Sequence, residues 1–171
     1  AGGSLGAALG YFHKEYDNPR IINDKDSMNS SLLGQEYTNE ETKNILEKIG
    51  AKYKYYDITE LNDRVVNYIS EGKIVGWFQG KTEFGPRALG NRSILGDPRS
   101  PNMQKTLNLK VKYRESFRPF APIVLEDTIN DWFECVGLSP YMLLTTDVLK
   151  SKLNALSDED KRQKGLDKLK I

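Results

Sequence analysis

Lysine and arginine recur through one glycine-punctuated stretch of this chain. Lys81, Arg87, Arg92 and Arg99 alternate with Gly80, Gly85, Gly90 and Gly96, directly after the apolar run Ile74-Val75-Gly76-Trp77-Phe78. Glycine admits positive φ and lets a backbone come close to a ligand. Fixed cations and backbone N–H groups on a loop that leaves a strand can make an anion site, with phosphate the first candidate. A second basic segment follows at Lys110-Val111-Lys112-Tyr113-Arg114, with Arg118 beyond it. Lys110 and Lys112 flank Val111, so an extended backbone would place both on one face. Arginine offers planar, bidentate contact to phosphate oxygens, and lysine a mobile point charge. The commoner explanation of such charges is a solvated surface loop.

Not every cation here can be a ligand. Arg87 and Arg92 lie among Phe84, Ala88, Leu89 and Ile94. An arginine in apolar surroundings often braces loop carbonyls, or pairs with a carboxylate such as Glu83 or Asp97. Bracing and binding stand level for both residues. Arg118, between Phe117 and Pro119, can equally hold the shape of its loop. For Glu83, a salt bridge is favoured over a role as general base or Mg²⁺ ligand. Cys135 reads as a small core residue.

The words of the loop carry more than its composition. Lys81-Thr82-Glu83-Phe84-Gly85-Pro86-Arg87-Ala88-Leu89-Gly90-Asn91-Arg92-Ser93-Ile94 is followed by Asp97-Pro98-Arg99 and later by Phe117-Arg118-Pro119-Phe120-Ala121-Pro122. Together they resemble the C-terminal domain of the NodU/CmcH-type O-carbamoyltransferases, the family of the tobramycin and cephamycin carbamoyltransferases. The resemblance runs from about Leu32 to Leu144, and FGPRALGNRSI is its highly specific part. It implies an α/β (α+β) domain of YrdC-like type, an open twisted mixed sheet or partial barrel with flanking helices and a basic cleft. It implies binding of carbamoyl phosphate and of ATP with Mg²⁺, joined as carbamoyl adenylate. A preceding Kae1-like domain of the same enzyme would then pass the carbamoyl group to a hydroxyl of a sugar-like or antibiotic acceptor. The substrate-binding set expected is Lys81, Arg87, Asn91, Arg92, Ser93, Lys110, Lys112, Arg114 and Arg118. In it, Asn91 and Ser93 would be neutral donors to a carbamoyl amide or a ribose hydroxyl. No residue is singled out as catalytic. The family's metal-binding histidines are absent, and nothing after Tyr141-Met142 resembles its closing His-Val-Asp segment, so the chain reads as a fragment.

These residues need elements to hold them. Residues 1–16 start small and glycine-rich and run into Leu5, Leu9 and Phe12, which suggests a close-packed helix. By the resemblance, this is the remnant last helix of the Kae1-like domain. Residues 17–36 read as a polar linker with a turn at Asn18-Pro19. The carbamoyltransferase domain is placed at 37–149. Thr38-Asn39-Glu40-Glu41 is a capping box, Ile45, Leu46 and Ile49 follow at helical spacing, and Gly50 suits the end. Tyr53–Tyr56 reads as a short strand. Thr59 is a candidate cap for a helix whose face is Leu61, Val65, Tyr68 and Ile69, closed by Gly72. Strand 74–78 is expected at the centre of the sheet, its loop opening onto a cleft. Ser100-Pro101 begins another helix, with proline at its first position, running to about Lys110. Phe120–Leu125 and Tyr141–Thr145 are further strand candidates, with a short helix at 128–133 capped by Thr128 or Asp127. Residues 150–171 read as a charged surface helix. Both ends, 1–36 and 150–171, are expected to be poorly packed.

Composition narrows the classes. The chain has 171 residues, 38% hydrophobic and 29% charged, with a formal net charge of +1. That suits one globular domain, and any anion site must come from local clustering. Near-zero net charge also weighs against a nucleic-acid-binding module, although residues 105–118 interleave cations with Tyr113 and Phe117. A non-catalytic docking domain is the other alternative. One cysteine, Cys135, allows no internal disulfide and favours a cytoplasmic setting. With it and one histidine, His13, a His/Cys metal site is not expected. No apolar run approaches the roughly 20 residues of a membrane span, and no signal peptide is visible.

Overall fold

Helix signals in the chain are local and strong, while its strand signals depend on distant partners. A computed structural model describes residues 2–23, 26–134 and 137–165. Two compact units emerge. One gathers the residues up to Asp57 with Gly76–Ile94, and the other gathers Ile58–Val75 with the residues from Leu95 onward.

In the first unit, α1 spans Gly2–Lys14 and no residue of it is buried. Asn18 holds its end by donating from Nδ2 to the Phe12 carbonyl at 3.2 Å. The helix α2 spans Asn39–Lys48 with the capping box the sequence announces. Thr38 Oγ1 accepts from the Glu41 N–H at 3.1 Å, and the Glu41 carboxylate accepts from the Thr38 N–H at 2.8 Å. Gly50 follows with φ 66°, as a C-terminal glycine should. Because α2 buries no residue, its order rests on this cap. Thr38→Ala is expected to cost about 1 kcal/mol. Amide exchange within α2 should then speed up by about fivefold, and no change would show that the box contributes nothing.

Strands β1 (Val75–Phe78) and β2 (Arg92–Leu95) form a two-stranded antiparallel sheet, so the described architecture is α+β. β1 has a single neighbour and is an edge, which corrects its expected central place. The strands expected at 53–56, 120–125 and 141–145 do not form either. A run with strand character becomes a strand only where another backbone meets its N–H and C=O groups, and none does so here among the described residues. Near the last of them, the pairing falls elsewhere, as an isolated bridge between Phe133 and Val148.

In the second unit, α3 spans Ile58–Ser70. It starts one residue before Thr59, so the cap position falls to Asp57 rather than to Thr59. Gly72, at φ 79°, closes it. Leu61, Val65 and Ile69 are half-buried as the spacing predicts, while Tyr68 is exposed beneath Lys73, whose Nζ stands 4.5 Å from the ring centre. The expected helix from Pro101 begins instead at Met103. It is a single turn, α4 (Met103–Thr106), that widens into a π-helical stretch at Leu107–Lys112. Met103 and Leu107 are its buried apolar residues, with Asn108 fully buried beside them. Gly96 is small for their sake rather than for a ligand. A Cβ there would come within 2.9 Å of Met103 Cγ and Sδ. The short helix expected at 128–133 is a 3₁₀ segment at Glu126–Asp131, entered without a side-chain cap. Thr128 donates its hydroxyl back to the Leu125 carbonyl at 3.2 Å. The charged tail holds two short pieces rather than one helix, a 3₁₀ turn at Lys150–Lys152 and α5 (Asp158–Arg162). Ser157 and Asp160 box the latter, a signal missed in the sequence. Cys135 and the last leucines of the tail lie outside the described residues.

Candidate functional site

The loop from Gln79 to Asn91 joins β1 to β2 and is built on its own polar groups. Gln79 N–H donates to the Asn91 carbonyl at 3.0 Å and closes its neck. Inside, the Glu83 carboxylate accepts from the N–H groups of Leu89 and Asn91, both at 2.8 Å, and of Arg92 at 3.3 Å. Gly90 lies between the first two donors with φ 119°, a conformation that side chains other than glycine's rarely allow. It turns the backbone so that the amides on either side converge on one carboxylate. Burial pushes the Glu83 carboxyl up, but these N–H donors outweigh it and hold the group below its ordinary value. Glu83 therefore organises backbone amides, where a salt bridge was expected.

Arg92 is the complementary brace. Its Nη1 donates to the carbonyls of Gln79 at 2.6 Å and Asn91 at 2.8 Å, and its Nη2 to that of Gly80 at 3.0 Å. The guanidinium carbon sits 3.4 Å from the centre of the Phe78 ring. Asn91 spends its side chain likewise, donating from Nδ2 to the Lys81 carbonyl at 2.8 Å. Ser93 Oγ accepts from the Gly90 N–H at 3.1 Å. Residues of the expected linker also enter the loop. Gly34 N–H donates to the Thr82 carbonyl, Thr82 N–H to that of Gln35 and Phe84 N–H to that of Ser31, at 2.9, 3.0 and 2.6 Å.

Two cations of the loop are left over. Lys81 and Arg87 are exposed, and among the described residues neither side chain has a hydrogen bond or ion pair. Arg87 and Arg92, level in the sequence, thus part company. Arg99 is committed elsewhere, to the buried carboxylate of Asp97, with Nη2–Oδ2 at 2.8 Å. The Arg99 side chain and N–H hold the Asp97 carboxyl below the usual carboxylate range.

The second basic segment belongs to the other unit. The backbone of Lys110 and Lys112 is helical, so the condition for a shared face, an extended chain, is not met: on a helix, residues two apart diverge. Both are exposed. Arg118 is exposed too, and stands 3.9 Å from Glu115, a surface pair of little worth. Arg114 differs from these. Tyr113, at φ 50°, turns the chain, and Arg114 Nε donates to Asn108 Oδ1 at 2.6 Å. Its guanidinium carbon lies 4.9 Å from the centre of the Phe120 ring. Asn108 also donates from Nδ2 to the carbonyls of Ser116 at 3.1 Å and Arg118 at 2.8 Å. Gln104 donates to the carbonyls of Phe117 and Arg118 at 3.1 and 3.2 Å. Asn108 and Gln104 were not foreseen. The signal for Asn108 was a polar side chain next to Leu107, at the apolar end of the helix predicted from Pro101.

Among the described residues no group of three or more His, Cys, Asp or Glu side chains gathers as for a metal ion, and no helix is long and apolar enough to cross a membrane. In the loop, the braces are spent on backbone groups, and Lys81 and Arg87 carry charge that the described residues do not use.

Residues 66–163, more than half of the chain, match the family described as carbamoyltransferase C-terminus. An uncharacterized protein of Synechocystis is 47% identical over 100% of this chain and 28% of its own length. Nodulation protein NolO of Bradyrhizobium diazoefficiens is 36% identical over 91% of this chain and 28% of its own. Nodulation protein U of Rhizobium fredii is 49% identical over 46% of this chain and 13% of its own. The chain thus spans little more than a quarter of the relatives it matches most fully, and its loop, its braces and its spare cations belong to a member of the carbamoyltransferase C-terminus family.

Proposed function

We propose that this chain is the substrate-activating part of an ATP-dependent carbamoyltransferase. It would bind carbamoyl phosphate, and ATP as its Mg²⁺ complex, and form carbamoyl adenylate. The carbamoyl group would pass to a hydroxyl of a sugar-like or antibiotic acceptor on an N-terminal Kae1-like domain, whose last helix would be residues 1–16. The reading extends to a YrdC-like arrangement of 37–149 and to the cytoplasm, where a single cysteine is at ease.

One observation carries the proposal. The family loop keeps its shape through Glu83 and Arg92, and Lys81 and Arg87 are left with nothing to do within the described residues. Bringing two phosphate-bearing substrates together sets like charge against like charge. Cations carried on a loop whose backbone is already braced offset that repulsion with less rearrangement during the reaction. A solvated surface would not need the internal bracing.

The test is made in the whole enzyme. Lys81→Ala and Arg87→Ala should each raise Kd for carbamoyl phosphate or ATP by about ten- to a hundredfold, the worth of one charge-assisted hydrogen bond. Both residues are exposed and, among the described residues, unpaired, so stability should move by less than about 0.5 kcal/mol. Wild-type affinity for both ligands in both variants would overturn the assignment of this loop. Salt-dependent binding of RNA in its place would favour the nucleic-acid alternative.

A further inference from the structure

We infer that Asn108 is a positioning residue for Arg114, holding that guanidinium by its Nε so that both terminal nitrogens face an anionic group of the substrate. The inference rests on the proposed function and deepens it. Asn108 is fully buried, a costly place for a bare amide. All three of its side-chain contacts serve the segment that follows. Nδ2 is spent on the carbonyls of Ser116 and Arg118, which leaves Oδ1 with no choice but to accept. It accepts from Arg114 Nε at 2.6 Å, and the Arg114 N–H donates to the Asn108 carbonyl at 3.0 Å. Residue and side chain are thus gripped at both ends of the same turn.

What the grip leaves over is chemically specific. Among the described residues, neither Nη1 nor Nη2 of Arg114 has a hydrogen-bond partner. The Phe120 ring lies 4.9 Å from the guanidinium carbon and limits swinging of the plane without using an N–H. An arginine fixed through Nε, with its terminal pair unused, presents the fork that matches two oxygens of a phosphate or carboxylate. Arg99, tied through both Nε and Nη2 to Asp97, shows the spent arrangement for contrast. The ligand chemistry is a phosphate-type dianion, which either carbamoyl phosphate or ATP could supply.

The experiment is a double-mutant cycle in the whole enzyme, reading KM for carbamoyl phosphate and for ATP separately, together with melting temperature. Arg114→Ala should raise one KM by about ten- to a hundredfold, and whichever KM responds identifies the source of the anion. Asn108→Leu should raise the same KM by at least about tenfold, and adding it to Arg114→Ala should raise that KM no further. Arg114→Lys keeps the charge at this half-buried position but loses Nε–H and the fork. It should behave like Arg114→Ala, and it keeps the question decidable if Asn108→Leu does not fold. Additive KM effects in the cycle, or wild-type KM in Arg114→Lys, would overturn the positioning role and leave Arg114 as a simple charge. An unaltered KM for both substrates in Arg114→Ala would instead remove Arg114 from the site and so count against the underlying reading at this residue.

Discussion

Glu83→Ala is expected to lower stability by about 3 kcal/mol, equivalent to about 6–12 °C in Tm for a chain of this size. The carboxylate receives the N–H groups of Leu89, Asn91 and Arg92. Removing it leaves part-buried donors aimed at one another with no acceptor between them. Each hydrogen bond to a charged group is worth roughly 1.5–3 kcal/mol, and three that share one acceptor do not add in full. Glu83→Gln keeps one oxygen and loses the charge, so about half the effect should remain. The dependence on pH follows from the direction of the shift. Burial raises the Glu83 carboxyl and its N–H donors lower it further than that, so the folded value lies below the unfolded one. A depressed carboxylate contributes its stability above the unfolded value, about 4.3. It loses that contribution as pH falls through the folded value. The gap in Tm between wild type and Glu83→Gln should therefore be full at pH 7 and shrink in acid below about pH 4. A gap that stays constant to pH 3 would show that the nest does not depend on charge.

Arg92→Ala should cost about 2–3 kcal/mol, against less than about 0.5 kcal/mol for Arg87→Ala five positions away. Arg92 joins the carbonyls of Gln79, Asn91 and Gly80 through two nitrogens and lies on the Phe78 ring. Its Nε is buried without a partner, a cost the other contacts must already exceed. Arg92→Lys keeps the charge but cannot span three carbonyls from one planar group, so it should recover no more than about half of the loss. Thermal melts of the three variants, beside affinity for carbamoyl phosphate and ATP, separate the roles. An unchanged Tm with weakened binding in Arg92→Ala would make Arg92 a ligand after all. A lowered Tm in Arg87→Ala would mean that Arg87 braces too.

α2 and the end of α3 could be read from the sequence because their determinants are neighbours. Thr38 and Glu41 complete α2 within one turn, and Gly50 and Gly72 stop their helices by their own φ. The family loop was legible for the same reason, as a contiguous word whose glycines and cations need no distant partner to be seen. The sheet was not. Tyr53–Tyr56 and Phe120–Leu125 carry strand-like residues, but a ladder exists only where a second backbone arrives, and alternation cannot say whether one does. For Lys110 and Lys112 the sequence left open whether the backbone at Val111 is extended or helical, and the helical turn packed through Met103 and Leu107 against Gly96 carries on through it.

In the site, the sequence by itself determined which residue types were present and that anion chemistry was open to them. Only the tertiary structure decided which cations were already taken. Arg87 and Arg92 share a motif and an apolar setting. One finds three carbonyls and an aromatic ring within reach, and the other finds nothing among the described residues. Asn108 and Arg114 show the same limit from the other side. Six positions along the chain, an amide and a guanidinium meet because a π-helical turn and a left-handed Tyr113 fold the segment back on itself. Spacing lists the groups that can donate. Whether a donor is spent or spare depends on acceptors the fold brings from elsewhere, and a guanidinium can point its fork at a substrate only where its protein partners leave it free.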